Sequence, residues 1–472
     1  MNKWVQRSVA LVVACSLSGC AMTSPQLRPE VPVAGTWNET TPADAAAVSP
    51  TWWTDFGSPE LESLVAAALA GSPDLAIATE RVQQAEAQVR VVGASLFPML
   101  SAGTSASGGR TSTVGGAKNG NAVVNSAASV GLTASYEVDL WGKNRAGVRA
   151  AESSAAAAHF DRDTAQVTLV SGVATSYFDV LALRTRLAIA RENLATAQQV
   201  LDLVSARARA GAASALDVSR QEATVLSQQA ALLPLQQQER QTLAALAFLV
   251  GQPPEGFDVK ATGIGDLHVP TIDPGLPSTL LVRRPDLASA EAQLAAANAD
   301  VAAARAALLP TITLTGTAGI ATAALTSIST MGATAAAGIA ASLLQPIFDG
   351  GRLRGQKAVA ESRERELVET YRKAILSAFA DVEEALAGTT RLGQQEQLQA
   401  SVQTRAQESL RLADIRYKAG ADDLLTMLDA QRTLFAAQDQ LAQVELNRLQ
   451  AAVSLYKALG GGWSAAATAP SA

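Results

Sequence analysis

Two cysteines and two histidines stand in 472 residues, and that scarcity removes most site chemistry at once. Cys15 falls inside an N-terminal run of signal type, which leaves Cys20 alone and allows no intramolecular disulfide. His159 and His268 are far apart, with no cysteine or acidic cluster at metal-ligand spacing. Gly115-Gly116 and Gly460-Gly461-Gly462 lack the lysine and the strand–helix setting of a phosphate loop. No metal, no cofactor and no enzymatic activity are expected. Basic charge is also short. Without residues 1–19, which hold Lys3 and Arg7, 35 basic residues face 43 acidic ones, a net charge of −8. There is no basic stripe, so nucleic acid is not expected as a partner.

The N-terminus carries a compartment signal. Lys3 and Arg7 form a charged region, and Ser8 to Leu17 is a short apolar one. It is too short to span a membrane and reads as a signal peptide over residues 1–19. Leu17-Ser18-Gly19-Cys20 resembles a bacterial lipobox, which implies that Cys20 is lipidated. Ala21 follows it where an inner-membrane retention signal usually has Asp, so the resemblance points to the outer membrane. Residues 20–50, rich in Pro, Ala and Thr, read as an extended lipidated tether.

The remainder is written twice. Pro73-Asp74-Leu75 returns as Pro285-Asp286-Leu287, and Leu96-Phe97-Pro98 as Leu308-Leu309-Pro310, both 212 residues on. Ala151-Glu152-Ser153 returns as Ala360-Glu361-Ser362, Arg209-Ala210-Gly211 as Lys418-Ala419-Gly420, and Gly251 as Gly460, all 209 residues on. A constant offset with one three-residue slip is a tandem duplication. The first repeat covers 51–250 and the second 285–460. An equatorial linker fills 251–284, and 461–472 reads as a flexible tail.

Proline is absent between Gly142 and Gly211 and again between Gly351 and Gly420. Each gap holds one long helix, 143–210 and 352–419, roughly 100 Å in length. In the first, Leu169, Val173, Ser176, Val180, Leu183, Leu187, Ala190, Leu194, Ala197, Leu201 and Val204 step by four and three, a coiled-coil seam. After each glycine a return helix follows, 214–250 and 422–459, with Pro234 a candidate kink. A shorter helix opens each repeat, from Ser72-Pro73-Asp74 to Phe97 and from Pro285-Asp286 to Leu309.

Strands lie between the helices. Over 129–140, Val130, Leu132, Ala134, Tyr136, Val138 and Leu140 alternate with Ser129, Gly131, Thr133, Ser135, Glu137 and Asp139. Ile312 and Leu314 alternate with threonines over 311–320. Segments 99–107 and 335–347 make weaker partners. Period two gives one apolar and one polar face. Strands of about ten residues suit a tilted bilayer crossing. Four cannot close a barrel, and lipid leaves no open edge unpaired, so several chains must share one. Two chains give eight strands, whose interior fills with side chains; three give twelve, with room for a lumen that Glu137, Asp139 and the threonine row would line.

Further motifs carry a family resemblance: Trp52-Trp53 with Phe56, the Pro-Asp-Leu helix starts, and the Leu-Phe-Pro and Leu-Leu-Pro strand entries. Asp139-Leu140-Trp141-Gly142, Phe348-Asp349-Gly350-Gly351-Arg352 and the paired ends at Gly211 and Gly420 complete the set. Over residues 50–460 the chain resembles the outer membrane efflux protein family of TolC type, in its lipoprotein branch serving resistance-nodulation-division systems. The resemblance implies a mainly α fold with a membrane β-barrel. That is a homotrimer with a twelve-stranded barrel in outer-membrane lipid, continued by an α-helical coiled-coil barrel across the periplasm. It implies docking to a periplasmic adaptor (membrane fusion) protein and, through it, an inner-membrane efflux pump.

The same resemblance assigns roles at the periplasmic mouth. Gly211 and Gly420 mark adaptor-facing turns. Asp422, Thr426 and Asp429 fall at i, i+4 and i+7 of one helix face, and Asp429 matches an acidic pore-ring position. Thr426 stands where another Asp can occur, so the gate is expected to be less acidic. Tyr417 and Asp217 match a pair that latches neighbouring coils, with Arg220 beside them as the repeat partner of Asp429. A plainer reading makes the acidic residues dipole-favoured charges at a helix start. Two other functions share part of the pattern: a type I protein secretion conduit and a lipid-anchored coiled-coil spacer. The spacer does not account for the duplicated strands.

Overall fold

The computed structural model describes residues 31, 35–39, 46–111, 123–322 and 334–463; Cys20 and the lipobox lie outside the described residues. Two compact units form. One takes in residues 82–157 and 290–371, the other the described parts of 30–81, 158–289 and 372–472. In chain order the strands are β1 (Ala46–Ala47), β2 (Met99–Thr111), β3 (Val123–Val138), β4 (Ile272–Asp273), β5 (Thr311–Thr322) and β6 (Thr334–Leu344). The α-helices are α1 (Pro59–Gly71), α2 (Pro73–Gly93), α3 (Lys143–Arg209), α4 (Ala215–Val250), α5 (Pro285–Ala306), α6 (Arg352–Lys418) and α7 (Leu424–Ala458).

In the first unit, β2, β3, β5 and β6 make one antiparallel sheet in that order. Register aligns the alternation across all four strands. Leu100–Ala134–Gly316–Ile339, Ala102–Leu132–Ala318–Ala337 and Thr104–Val130–Ile320–Ala335 run across one face. Ser101–Thr133–Thr317–Gly338 and Ser105–Ser129–Ala321–Thr334 run across the other. The apolar face is bare, with Leu132, Val130 and Ile339 all exposed. Neither β2 nor β6 has a second partner strand among the described residues.

The strand ends explain two motifs. β3 stops at Val138 because Asp139 leaves it to cap α3, accepting from the backbone N–H of Asn144 (3.0 Å) and Arg145 (2.9 Å). Asp349 caps α6 in the same way, through Gly351 and Leu353. Asp139 is therefore a cap, not a lumen-lining residue as its alternation suggested. Glu137 is ion-paired with Lys143. Trp141 donates its indole N–H to the Pro310 carbonyl at 2.7 Å, tying the β3 end to the β5 start.

In the second unit, aromatic residues centre the core. Trp52 stacks on Tyr456 at 4.8 Å, Phe56 packs on Phe178 at 4.9 Å, and the Tyr456 hydroxyl donates to Asp55 at 2.8 Å. Ser58 caps α1 by accepting from the Leu61 N–H, with Pro59 in the first turn. The 251–284 segment is stitched down. The Glu60 carboxylate accepts from the Lys260 and Ala261 N–H groups and from the Tyr177 hydroxyl. Burial above all, with the Glu60 charge adding, pushes the Tyr177 phenol up to about 12, so it stays a donor at physiological pH. Arg184 bonds Glu239, the Val259 and Ala261 carbonyls and Asp258.

Three expectations change here. Residues 35–39 and 46–50 are not free tether. Trp37 donates to the Gly275 carbonyl and packs edge-on to Phe379, Glu39 pairs with Arg391, and β1 pairs in parallel with β4. The start of the presumed tail is held too, because Trp463 donates to the buried Asp163 carboxylate at 2.9 Å and packs on Phe160. The seam on α3 drifts. Leu194 and Leu201 are only half-buried, while Asn193, Ala197, Val200 and Val204 are buried. That set keeps the four-three spacing and shares Ala197 and Val204 with the expected seam, but takes Asn193 and Val200, each one residue earlier, in place of Leu194 and Leu201. α4 runs unbroken through Pro234.

Candidate functional site

The ends of the long helices are two hairpins built to one plan. α3 stops where Gly211 takes φ 76°, with Gly211 N–H on the Ala208 carbonyl and Ala212 N–H on that of Arg207. α6 stops where Gly420 takes φ 73°, with Gly420 N–H on the Tyr417 carbonyl and Ala421 N–H on that of Arg416. This left-handed closure satisfies helix-end carbonyls and favours glycine. Ser214 then caps α4, and Asp423, its repeat partner, caps α7.

The caps decide what the acidic residues do. Asp217 closes a capping box with Ser214, and those bonds, first that from the Ser214 N–H, hold its carboxyl below the usual range. Thr426 gives its N–H and hydroxyl to Asp423 at 2.9 and 2.8 Å. Asp422 precedes the cap and so does not share a helix face with Thr426 and Asp429, contrary to the i, i+4, i+7 reading. Arg416 holds it instead in a two-point pair, 2.6 and 2.9 Å, which lowers its carboxyl. Thr426 and Asp429 are both exposed on α7, beside exposed Leu425. Arg220 is exposed on α4, and its charge acts on Asp217.

One apolar cluster joins the hairpins. Val200 and Val204 of α3, Tyr417 of α6, and Leu424, Met427 and Leu428 of α7 are buried together, with Val218 of α4 against them. Among the described residues no hydrogen bond links Tyr417 to Asp217. Burial pushes the Tyr417 phenol up; the charge of Arg207 opposes this and that of Asp217 adds to it. The charged side chain against Tyr417 is that of Arg207, which is not among the residues expected from the sequence. Its guanidinium lies 4.6 Å from the ring centroid and donates to the Tyr417 carbonyl at 2.8 Å. The available signal was a repeat mismatch: Arg207 matches Arg416, but Ala213 stands where the second hairpin has Asp422.

With the sheet and hairpins in place, the wider comparison is decisive: the outer membrane efflux protein family matches residues 64–252 and 276–461. The chain belongs to the outer membrane efflux protein family. It is 45% identical over 464 residues to the pyoverdine export outer membrane protein OpmQ of Pseudomonas aeruginosa, covering 97% of each chain. A solved membrane protein of Pseudomonas aeruginosa superposes with a TM-score of 0.86 at 33% identity, covering 94% of this chain and 98% of that one. The open state of the Neisseria gonorrhoeae MtrE outer membrane channel gives 0.82 at 31% identity, covering 94% and 98%. The fold is therefore mainly α with a membrane β-barrel. The protein is an outer-membrane channel, the exit duct of an efflux system.

Proposed function

We propose that three copies form the duct, that a periplasmic adaptor docks on the turns at Gly211 and Gly420, and that an inner-membrane pump feeds it through that adaptor. The four-strand sheet carries this reading: one face is apolar and bare, and both edges lack partners among the described residues. Lipid would strand those edge groups, so the sheet closes on other copies, and three make a twelve-stranded barrel with a lumen. Exposed Leu226 and Leu233 on α4, and Leu398, Val402 and Leu412 on α6, offer apolar stripes for neighbouring copies. Thr426 and Asp429 line the periplasmic mouth, where three Asp429 carboxylates attract cations.

Mass measurement in detergent gives three chains per particle, and the particle conducts in a planar bilayer with a preference for cations. Asp429→Ala lowers divalent-cation block. A stable monomer with full strand content would end the barrel reading; unchanged block would move the gate elsewhere. Identity to the pyoverdine-export relative favours partners of the same kind. Expression in a Pseudomonas aeruginosa strain lacking that relative then restores pyoverdine to the medium. Restored insertion without export would assign this chain a different adaptor.

We also propose that Cys20 carries lipid, from its place behind the apolar N-terminal run. Cys20→Ser abolishes acyl labelling while the barrel still inserts, because the strands themselves cross the bilayer. Persistent labelling would exclude Cys20.

A further inference from the structure

All four strands of the sheet meet helices at one end. Met99 opens β2 after α2, Val138 closes β3 before α3, Thr311 opens β5 after α5, and Leu344 closes β6 before α6. At this end the charges break a rule that the chain keeps elsewhere. α2 and α5 have Asp74 and Asp286 in their first turns, as the positive end of a helix dipole favours. α3 and α6 have no acidic residue in theirs. α3 opens with Lys143, Arg145 and Arg149, and α6 with Arg352, Arg354 and Lys357, where helix stability alone disfavours basic charge. Carboxylates return on these helices only at Glu152 and Glu361.

Part of this charge is answered inside the chain. Lys143 pairs with Glu137 at 2.5 Å, Arg145 with Asp139 at 3.1 Å, and Lys357 with Glu361 at 3.2 Å. Arg149, Arg352 and Arg354 are exposed, and among the described residues none of the three makes an ion pair. Each lies within about 10 Å of its helix start. Large apolar side chains stand bare beside the same strand ends: Phe97 before β2, and Ile347 and Phe348 after β6, the last two 91% exposed. The strands, 13, 16, 12 and 11 residues long, are enough to cross the hydrocarbon core, so the helices start at its boundary. Apolar groups there seat among acyl chains, and arginines reach past them to the phosphate layer.

We propose that Arg149, Arg352 and Arg354 form a docking surface for anionic phospholipid headgroups, in the membrane leaflet at the helix end of the sheet. This rests on the reading of the sheet as part of a lipid-embedded barrel. The surface continues the apolar face that lipid covers, and its charge complements a phosphate. Lysine also binds phosphate as a point charge, so charge at these positions is what matters.

The test counts the lipids that stay on the full-length trimer after release from nanodiscs of equal phosphatidylglycerol and phosphatidylcholine, by native mass spectrometry. The wild type is expected to retain phosphatidylglycerol severalfold over phosphatidylcholine, and rising salt in the nanodiscs to erode that preference. The triple variant Arg149→Gln, Arg352→Gln, Arg354→Gln is expected to retain the two equally at unchanged trimer mass and helix content. The same three positions changed to Lys are expected to keep the preference. Arg363→Gln with Arg365→Gln, further along α6, is the control and keeps it too. Equal retention by the wild type overturns the surface, as does a preference that survives the triple Gln variant. An equal loss in the control also overturns it, as a general effect of net charge. A triple Gln variant that keeps the lipid preference but turns more cation-selective in planar bilayers overturns it in favour of lumen-facing charges. If the triple variant does not assemble, Arg149→Gln and Arg354→Gln decide singly: a lowered preference supports the surface and a wild-type preference in both overturns it. A wild type that enters no bilayer sinks the barrel reading itself, which separates the two failures.

Discussion

Gly460→Ala yields no folded trimer, and Gly251→Ala fails in the same way. The two glycines are repeat partners 209 residues apart, each just past the end of a return helix. Gly251 has φ 75°, and a Cβ there would sit 2.1 Å from the Gly71 carbonyl oxygen. Gly460 has φ 93°, and its Cβ would sit 2.0 Å from the Arg283 carbonyl oxygen. Gly71 and Arg283 are repeat partners too, each two residues before the Pro-Asp-Leu helix start. One junction is thus built twice, with backbone against backbone. No rotamer relieves such a contact, so the cost exceeds about 4 kcal/mol, the range of steric impossibilities. Gly256→Ala is the control: φ is 76° but nothing lies within 4 Å. It carries only the left-handed penalty of about 1–2 kcal/mol. Trimer recovered from the outer-membrane fraction measures the difference, and normal recovery of Gly460→Ala would refute the junction.

Leu132→Arg prevents insertion, whereas Thr133→Arg is tolerated. The two residues are neighbours on β3 but face opposite ways. Leu132 pairs with Ala102 and Ala318 in an apolar row; Thr133 pairs with Ser101 and Thr317 in a polar one. An arginine on the lipid face of a barrel costs about 2–4 kcal/mol near the midplane. Three copies bring that to about 6–12 kcal/mol, comparable to a whole domain's stability. On the lumen face the same charge stays in water and shifts ion preference toward anions. The measurement is the fraction of protein folded into liposomes, with conductance selectivity for the variant that inserts. Insertion of Leu132→Arg with failure of Thr133→Arg would exchange the two faces.

Period-two alternation over β3 and β5 was open to reading because side chains of a strand must point to alternate faces, whatever lies beyond. Segments 99–107 and 335–347 were weaker, since alanine, glycine and serine carry little contrast. Only pairing with β3 and β5 sets β2 to Met99–Thr111 and β6 to Thr334–Leu344. Asp139 shows the limit. Its place in the alternation made it a lumen residue, but two free N–H groups at the start of α3 outcompete the strand for its carboxylate.

The sequence by itself determined what depends on neighbours along the chain: the duplication, the helix stops at Gly211 and Gly420, the proline-led helix starts and the alternation of the strands. Backbone conformation and side-chain period are local properties, so residue order reports them. Tertiary structure alone decided which face of α3 is buried at Asn193 and Val200, what holds Trp37 and Trp463, and which hairpin Arg207 serves. A hydrogen-bond donor takes the acceptor that packing brings near, and the acceptor of Arg207 is a backbone carbonyl 210 residues away.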